Sequence, residues 1–87
     1  MCKRNHRIMV SRMTKTEYDT VIRNANFTAD QLRIFEQLNL DEYYDFAVID
    51  KMHMSKRKYY DTKSTVIDKV ERISRENGFY EAITKRQ

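Results

Sequence analysis

The sequence predicts an all-α domain on three observations. It holds no proline and a single glycine in 87 residues, so turns that need positive φ are scarce and long unbroken helices are favoured. Apolar residues recur at helical spacing, as in Leu32, Phe35 and Leu38 or in Val66, Val70 and Ile73, and the evenly spaced turn clusters of an all-β chain are missing. Capping-box signatures open two of the apolar runs, T-x-x-E at Thr14 and Glu17 and T-x-x-Q at Thr28 and Gln31. In each, the two side chains satisfy each other's backbone N–H groups. The expected architecture is a small helix-turn-helix domain of about four to five helices.

Residues 1–13 are read as a basic N-terminal arm. Ile8, Met9 and Val10 are adjacent rather than helically spaced, and residues 1–15 carry Lys3, Arg4, Arg7, Arg12 and Lys15 without an acid. Two readings stay open: a flexible tail, or an arm that follows a phosphate backbone or enters a minor groove. The helical domain is assigned to residues 14–77. Its first helix starts at Thr14, with Met13 and Tyr18 at the staple positions and Tyr18, Val21 and Ile22 as its apolar stripe, and ends at residues 24–26. The second starts at Thr28 between Phe27 and Leu32, buries Leu32, Phe35 and Leu38 with Ile34 beside them, and ends at residues 39–40.

A third helix is expected from Asp41 or Glu42 to Met52, with Phe46, Ile49 and Met52 buried and Tyr43 at the edge. Its acidic first turn suits the helix dipole and alternatively offers a contact for a basic partner. A tight turn at His53 and Met54 leads to a fourth helix opening at Ser55 and ending at Gly78 as the residue after the C-cap. Tyr59, Val66, Val70 and Ile73 form its buried side, and Arg57, Tyr60, Asp61, Ser64 and Asp68 its outer side. Residues 78–87 are read as a short C-terminal helix around Phe79, Tyr80 and Ile83 or a tail, with Lys85 and Arg86 solvated.

Charge is high and polarised. Charged residues make up 34% of the chain, with a net charge of +4, a pI near 9.3 and a mean hydropathy of −0.85. The middle of the chain is acidic, and residues 56–63 are basic again with Asp61 as their only acid. Such polarity is compatible with a nucleic-acid partner. No apolar run approaches a membrane span, and the basic start lacks the apolar segment of a secretory signal. Cys2 is the only cysteine, which excludes an intramolecular disulfide and makes a reducing cytoplasm the expected compartment.

No catalytic constellation emerges. His6 and His53 have no cysteine or carboxylate at zinc-ligand spacing. The carboxylates of residues 41–45 lack the rhythm of a calcium loop, and one glycine cannot build a phosphate loop. No enzyme activity, metal or cofactor is expected.

What remains is the start of the fourth helix. Lys56, Arg57 and Lys58 stand where the helix dipole is already positive, so a polyanion would relieve their mutual repulsion. The candidate DNA-binding residues are Ser55, Lys56, Arg57, Lys58, Tyr60, Lys63 and Ser64. Arg57 and Tyr60 are the expected base readers in a major groove, and Lys56, Lys58, Lys63 and Ser64 the phosphate contacts.

These residues also carry a family resemblance. The run D-K-M-H-M-S-K-R-K-Y-Y at residues 50–60, followed by Lys63, Val66, Ile67 and Val70, resembles the helix-turn-helix of the fourth region of sigma factors. Within that group it is most similar to ArpU-type late transcription regulators from phages of Gram-positive bacteria. The resemblance spans residues 27–73 and implies a phage- or mobile-element-encoded transcription regulator that binds promoter or operator DNA and contacts host RNA polymerase. Three residues depart from the pattern: Ile49 where a small residue is usual, His53 where glycine is common, and Asp61 where the family tends to be basic. A homodimer on paired half-sites is the expected arrangement. The alternative is an inhibitor or adaptor on the same scaffold that captures a host protein through residues 41–45 or through Phe79 and Tyr80.

Overall fold

A computed structural model describes residues 10–40 and 44–86. Over them the chain forms a 3-10 turn at Val10–Arg12 and five α-helices, with no strand among the described residues. The helices are α1 (Lys15–Ala25), α2 (Ala29–Leu38), α3 (Asp45–Met52), α4 (Lys56–Glu76) and α5 (Tyr80–Lys85). None of them is long and apolar enough to cross a membrane.

Both capping boxes form. The Thr14 hydroxyl accepts the Glu17 N–H at 3.2 Å, and the Glu17 carboxylate accepts the Thr14 N–H at 2.9 Å. Thr28 and Gln31 repeat the exchange at 3.2 and 3.1 Å. Each cap hydroxyl contributes about 1 kcal/mol. That matters for α1 and α2, which at 11 and 10 residues are too short to be stable helices alone.

α4 is the spine. Its 21 residues span about 31 Å at 1.5 Å each, close to the 35 Å longest dimension of the molecule. α1 and α2 pack against it, and α5 folds back onto it. The buried stripe of α4 is Tyr59, Val66, Val70, Ile73 and Ser74. Ser74 stays satisfied by donating to the Val70 carbonyl at 2.7 Å. Facing it are Val21 and Ala25 of α1, Ile34, Phe35 and Leu38 of α2, and Ile83 of α5. Phe35 joins the layers, with its ring centroid 4.8 Å from Tyr18 and 5.0 Å from Phe27. Residues 27 and 32 and residues 13 and 18 pack on the core from the expected staple positions.

Four details of the fold differ from what the sequence predicts. α3 begins at Asp45 after an extended Tyr44 (φ −129°, ψ 133°), not at Asp41 or Glu42. Phe46 is 72% exposed, whereas the inward face of α3 is Asp45, Val48, Ile49 and Met52. These lie at i, i+3, i+4 and i+7 on one side of a helix, and Phe46 falls about 100° away from Asp45. A polar residue at the head of the stripe concealed its phase. Arg86 is not simply solvated. Its guanidinium donates to both Glu17 carboxylate oxygens at 2.7 and 3.1 Å and to the Arg12 carbonyl at 3.0 Å. Val10 belongs to the core rather than to an arm: it is buried, and the Asn39 side-chain amide donates to its carbonyl at 3.1 Å. The rest of the arm, residues 1–9, and the expected edge residue Tyr43 lie outside the described residues.

Candidate nucleic-acid interface

The turn between α3 and α4 is closed by backbone hydrogen bonds. His53 N–H donates to the Asp50 carbonyl and Met54 N–H to the Ile49 carbonyl, both at 3.2 Å. This is the Schellman arrangement, and it puts His53 in the left-handed region at φ 54°, a conformation that costs a side-chain-bearing residue about 1–2 kcal/mol. The C-terminus of α4 uses the same motif with glycine in that place: Gly78 at φ 80° bonds to Arg75 and Phe79 to Ser74. Met54 and Ile49 are partly buried against the core, so the larger residue at position 49 packs rather than projects.

Ser55 caps α4, its hydroxyl oxygen accepting the Lys58 N–H at 3.1 Å. The hydroxyl hydrogen is left to donate to an incoming acceptor. Lys56, Arg57 and Lys58 follow and are all exposed. Among the described residues none of their three side chains is in a hydrogen bond or an ion pair. Ser64 and Tyr60 are exposed further along the same helix. Ser55, Lys56, Arg57, Lys58, Tyr60 and Ser64 therefore lie on accessible surface over the first three turns of α4.

Lys63 is placed differently. It lies one turn after the fully buried Tyr59, at the edge of the packed face, where its ammonium donates to Asp45 Oδ1 at 2.9 Å. Tyr59 donates its hydroxyl to the same oxygen at 2.6 Å, and Tyr60 reaches Oδ2 at 3.5 Å, the long limit of a hydrogen bond. Opposing effects act on the Asp45 carboxyl. Burial raises its pKa, but the hydrogen bonds from Tyr59 and Lys63 and the lysine's charge outweigh burial and hold it below the ordinary carboxylate range. Asp45 thus fastens the start of α3 to α4, and Lys63 takes part in that contact.

From the sequence Asp45 is expected to complement the helix dipole or to meet a partner, and its role as a fastener is not among those expectations. A signal was present: Lys63 follows Tyr59 at i+4 on the buried side of α4, and a cation at such an edge calls for an acid. The second surface expected for a protein partner is mostly covered, because Phe79 and Tyr80 are half-buried and Arg75 lies 4.3 Å from the Tyr80 ring centroid. Asp41 and Glu42 lie outside the described residues.

In the first turn of α1, Glu17 is held below the ordinary carboxylate range chiefly by the Arg86 hydrogen bonds, against burial and with help from Thr14. This pairing ties α5 to α1 and is remote in sequence from the turn.

Compared with protein-family models, curated proteins and solved structures, the chain matches none.

Proposed function

We propose that the protein is a double-stranded DNA-binding transcription regulator whose helix α4 enters the major groove N-terminus first. The observation that carries this reading is the state of the charges around the turn. The nearby acid, Asp45, is engaged by Tyr59 and Lys63, while Lys56, Arg57 and Lys58 stand exposed on the positive end of a helix dipole. Like charges so placed cost the helix a few tenths of a kcal/mol to about 1 kcal/mol each. A phosphate backbone removes that cost and releases counterions.

In this reading Lys56, Lys58 and the hydroxyls of Ser55 and Ser64 hold phosphates. Arg57 reads a guanine edge through its planar fork, and Tyr60 lies beside it. One short helix reads few base pairs, so two copies on paired half-sites complete the proposal. The resemblance to ArpU-type regulators supports a phage-encoded protein acting in a host cytoplasm beside RNA polymerase.

The test is fluorescence anisotropy with duplex DNA across a salt series. Two cationic phosphate contacts per copy, Lys56 and Lys58, give a slope of log K against log[salt] near −1.8, or about 12-fold weaker binding at 200 than at 50 mM salt. Two copies give roughly the square of that factor. Lys58→Ala is expected to lower the slope magnitude by about one without changing sequence preference, and Arg57→Ala to relax preference by about 1–3 kcal/mol. Binding that is absent at 50 mM salt, or insensitive to salt, overturns the reading.

A further inference from the structure

Beside the cationic start of α4 the molecule exposes three aromatic rings. Tyr44 is 61%, Phe46 72% and Tyr60 46% exposed. Asp45 lies between the first two in the chain, and the Tyr60 hydroxyl reaches its carboxylate at 3.5 Å, so Tyr60 adjoins the start of α3. Tyr44 and Phe46 are stacked, with centroids 5.6 Å apart and planes within 20°. Tyr60 is braced edge-on against the buried Tyr59 at 5.0 Å and 76°. Lys56 and Arg57 precede Tyr60 by four and three residues, which makes them its neighbours on the helix surface.

Large rings normally bury most of their area, and an exposed group of them marks a contact surface. Size and charge decide what kind. With about 200 Å² per ring, the exposed aromatic area is roughly 350 Å², less than half of the about 800 Å² that each partner contributes to a stable protein interface. Flat rings beside free cations are instead the combination that holds a single nucleic-acid strand, the rings stacking on bases while the cations meet its phosphates.

We infer that Tyr44, Phe46 and Tyr60 form a stacking platform for unpaired bases of a DNA strand whose phosphates lie on the first turn of α4. The inference rests on the proposed phosphate contact of that turn and extends it. The protein then favours DNA that is locally opened next to a duplex over a fully paired site. Tyr44 and Phe46 supply two rings from the start of α3, and Tyr60 supplies one from α4. The hydrogen bonds that Asp45 accepts from Tyr59, Tyr60 and Lys63 hold those two elements side by side.

Anisotropy titrations with the full chain test this on two probes of equal length: a perfect duplex, and the same duplex with a central bubble of unpaired thymines. The bubble is expected to bind about tenfold tighter, the scale of one stacked base. Phe46→Ala removes an exposed side chain and is expected to abolish that preference while leaving duplex affinity within about twofold; Tyr44→Ala provides an independent second variant, and circular dichroism verifies the fold of both. Equal affinity for bubble and duplex in the unaltered chain overturns the inference and leaves the duplex reading standing. Binding to neither probe overturns both. A bubble preference that survives both substitutions also overturns it. So does a concentration-dependent dimer, seen by sedimentation, that Phe46→Ala dissolves, because the rings then meet a second copy of the chain.

Discussion

Replacing Asp45 by alanine removes the fastener between α3 and α4, and the structure sets the scale of the loss. The Tyr59 hydroxyl belongs to a fully buried residue and donates to this carboxylate at 2.6 Å. A hydrogen bond to a charged group contributes about 1.5–3 kcal/mol, and an orphaned buried hydroxyl costs a similar amount. The Asp45 side chain is 32% exposed, so water screens it and the lower half of that range applies. The Lys63 ion pair adds about 0.5 kcal/mol. The expected destabilisation is about 2–3 kcal/mol. A domain of this size holds only about 4–13 kcal/mol, so the melting temperature should fall by about 10–20 °C. Urea denaturation followed by circular dichroism, in a double-mutant cycle of Asp45→Ala with Tyr59→Phe, isolates the shared bond. A coupling of about 1.5 kcal/mol is expected, and additivity within about 0.3 kcal/mol would refute the assignment. The pH dependence carries the same sign. The folded pKa of Asp45 lies below its unfolded value, so its contribution is complete above the unfolded value of about 4 and disappears as pH falls through the folded one. The Asp45→Ala variant should accordingly lose less stability than the unaltered chain as pH falls below about 4.

Other outcomes follow from single contacts. Arg86→Ala should raise the pKa of Glu17, because the guanidinium is the largest influence lowering it and burial acts the other way; an NMR titration of the Glu17 carboxyl that is unchanged in the variant would contradict the pairing. His53→Gly should stabilise the domain by about 0.5–1 kcal/mol in urea denaturation, the left-handed penalty less the entropy of glycine. Gly78→Ala should cost about 1 kcal/mol in the same assay. No atom lies within 4 Å of the added methyl position, so that loss comes from backbone conformation alone, and an unchanged midpoint would show that the turn adopts another shape.

The starts of α1, α2 and α4 were legible because their determinants are local, whereas α3, which has no side-chain cap, begins at Asp45 rather than at Asp41 or Glu42. Thr14 with Glu17, Thr28 with Gln31, and Ser55 all cap helices where three- or four-residue spacing places them. Gly78 takes the left-handed position after α4. Tyr59, Val66, Val70 and Ile73 were legible as the inner face of α4 because 21 residues give the helical period room to declare itself. α3, with eight residues, does not. Its stripe begins with Asp45, and a reading that follows only apolar residues chooses Phe46 and rotates the helix. The ties that hold the ends together were illegible for a different reason. Lys63 and Asp45 are 18 residues apart and Arg86 and Glu17 are 69 apart, and such pairings are decided by how helices pack. The candidate site divides along the same line. The exposed residues of α4 follow from its period, whereas the pairing of Lys63 with Asp45 and the exposure of the Tyr44 and Phe46 rings depend on where α3 sits.

Selection from a pool of randomised duplexes, followed by sequencing, asks most directly whether the start of α4 reads DNA. The unaltered chain is expected to enrich one short motif, arranged as paired half-sites about one helical turn apart if two copies bind. Arg57→Ala should lose the motif while still retaining DNA at low salt. A pool that after repeated rounds is indistinguishable from its input would contradict sequence-specific binding.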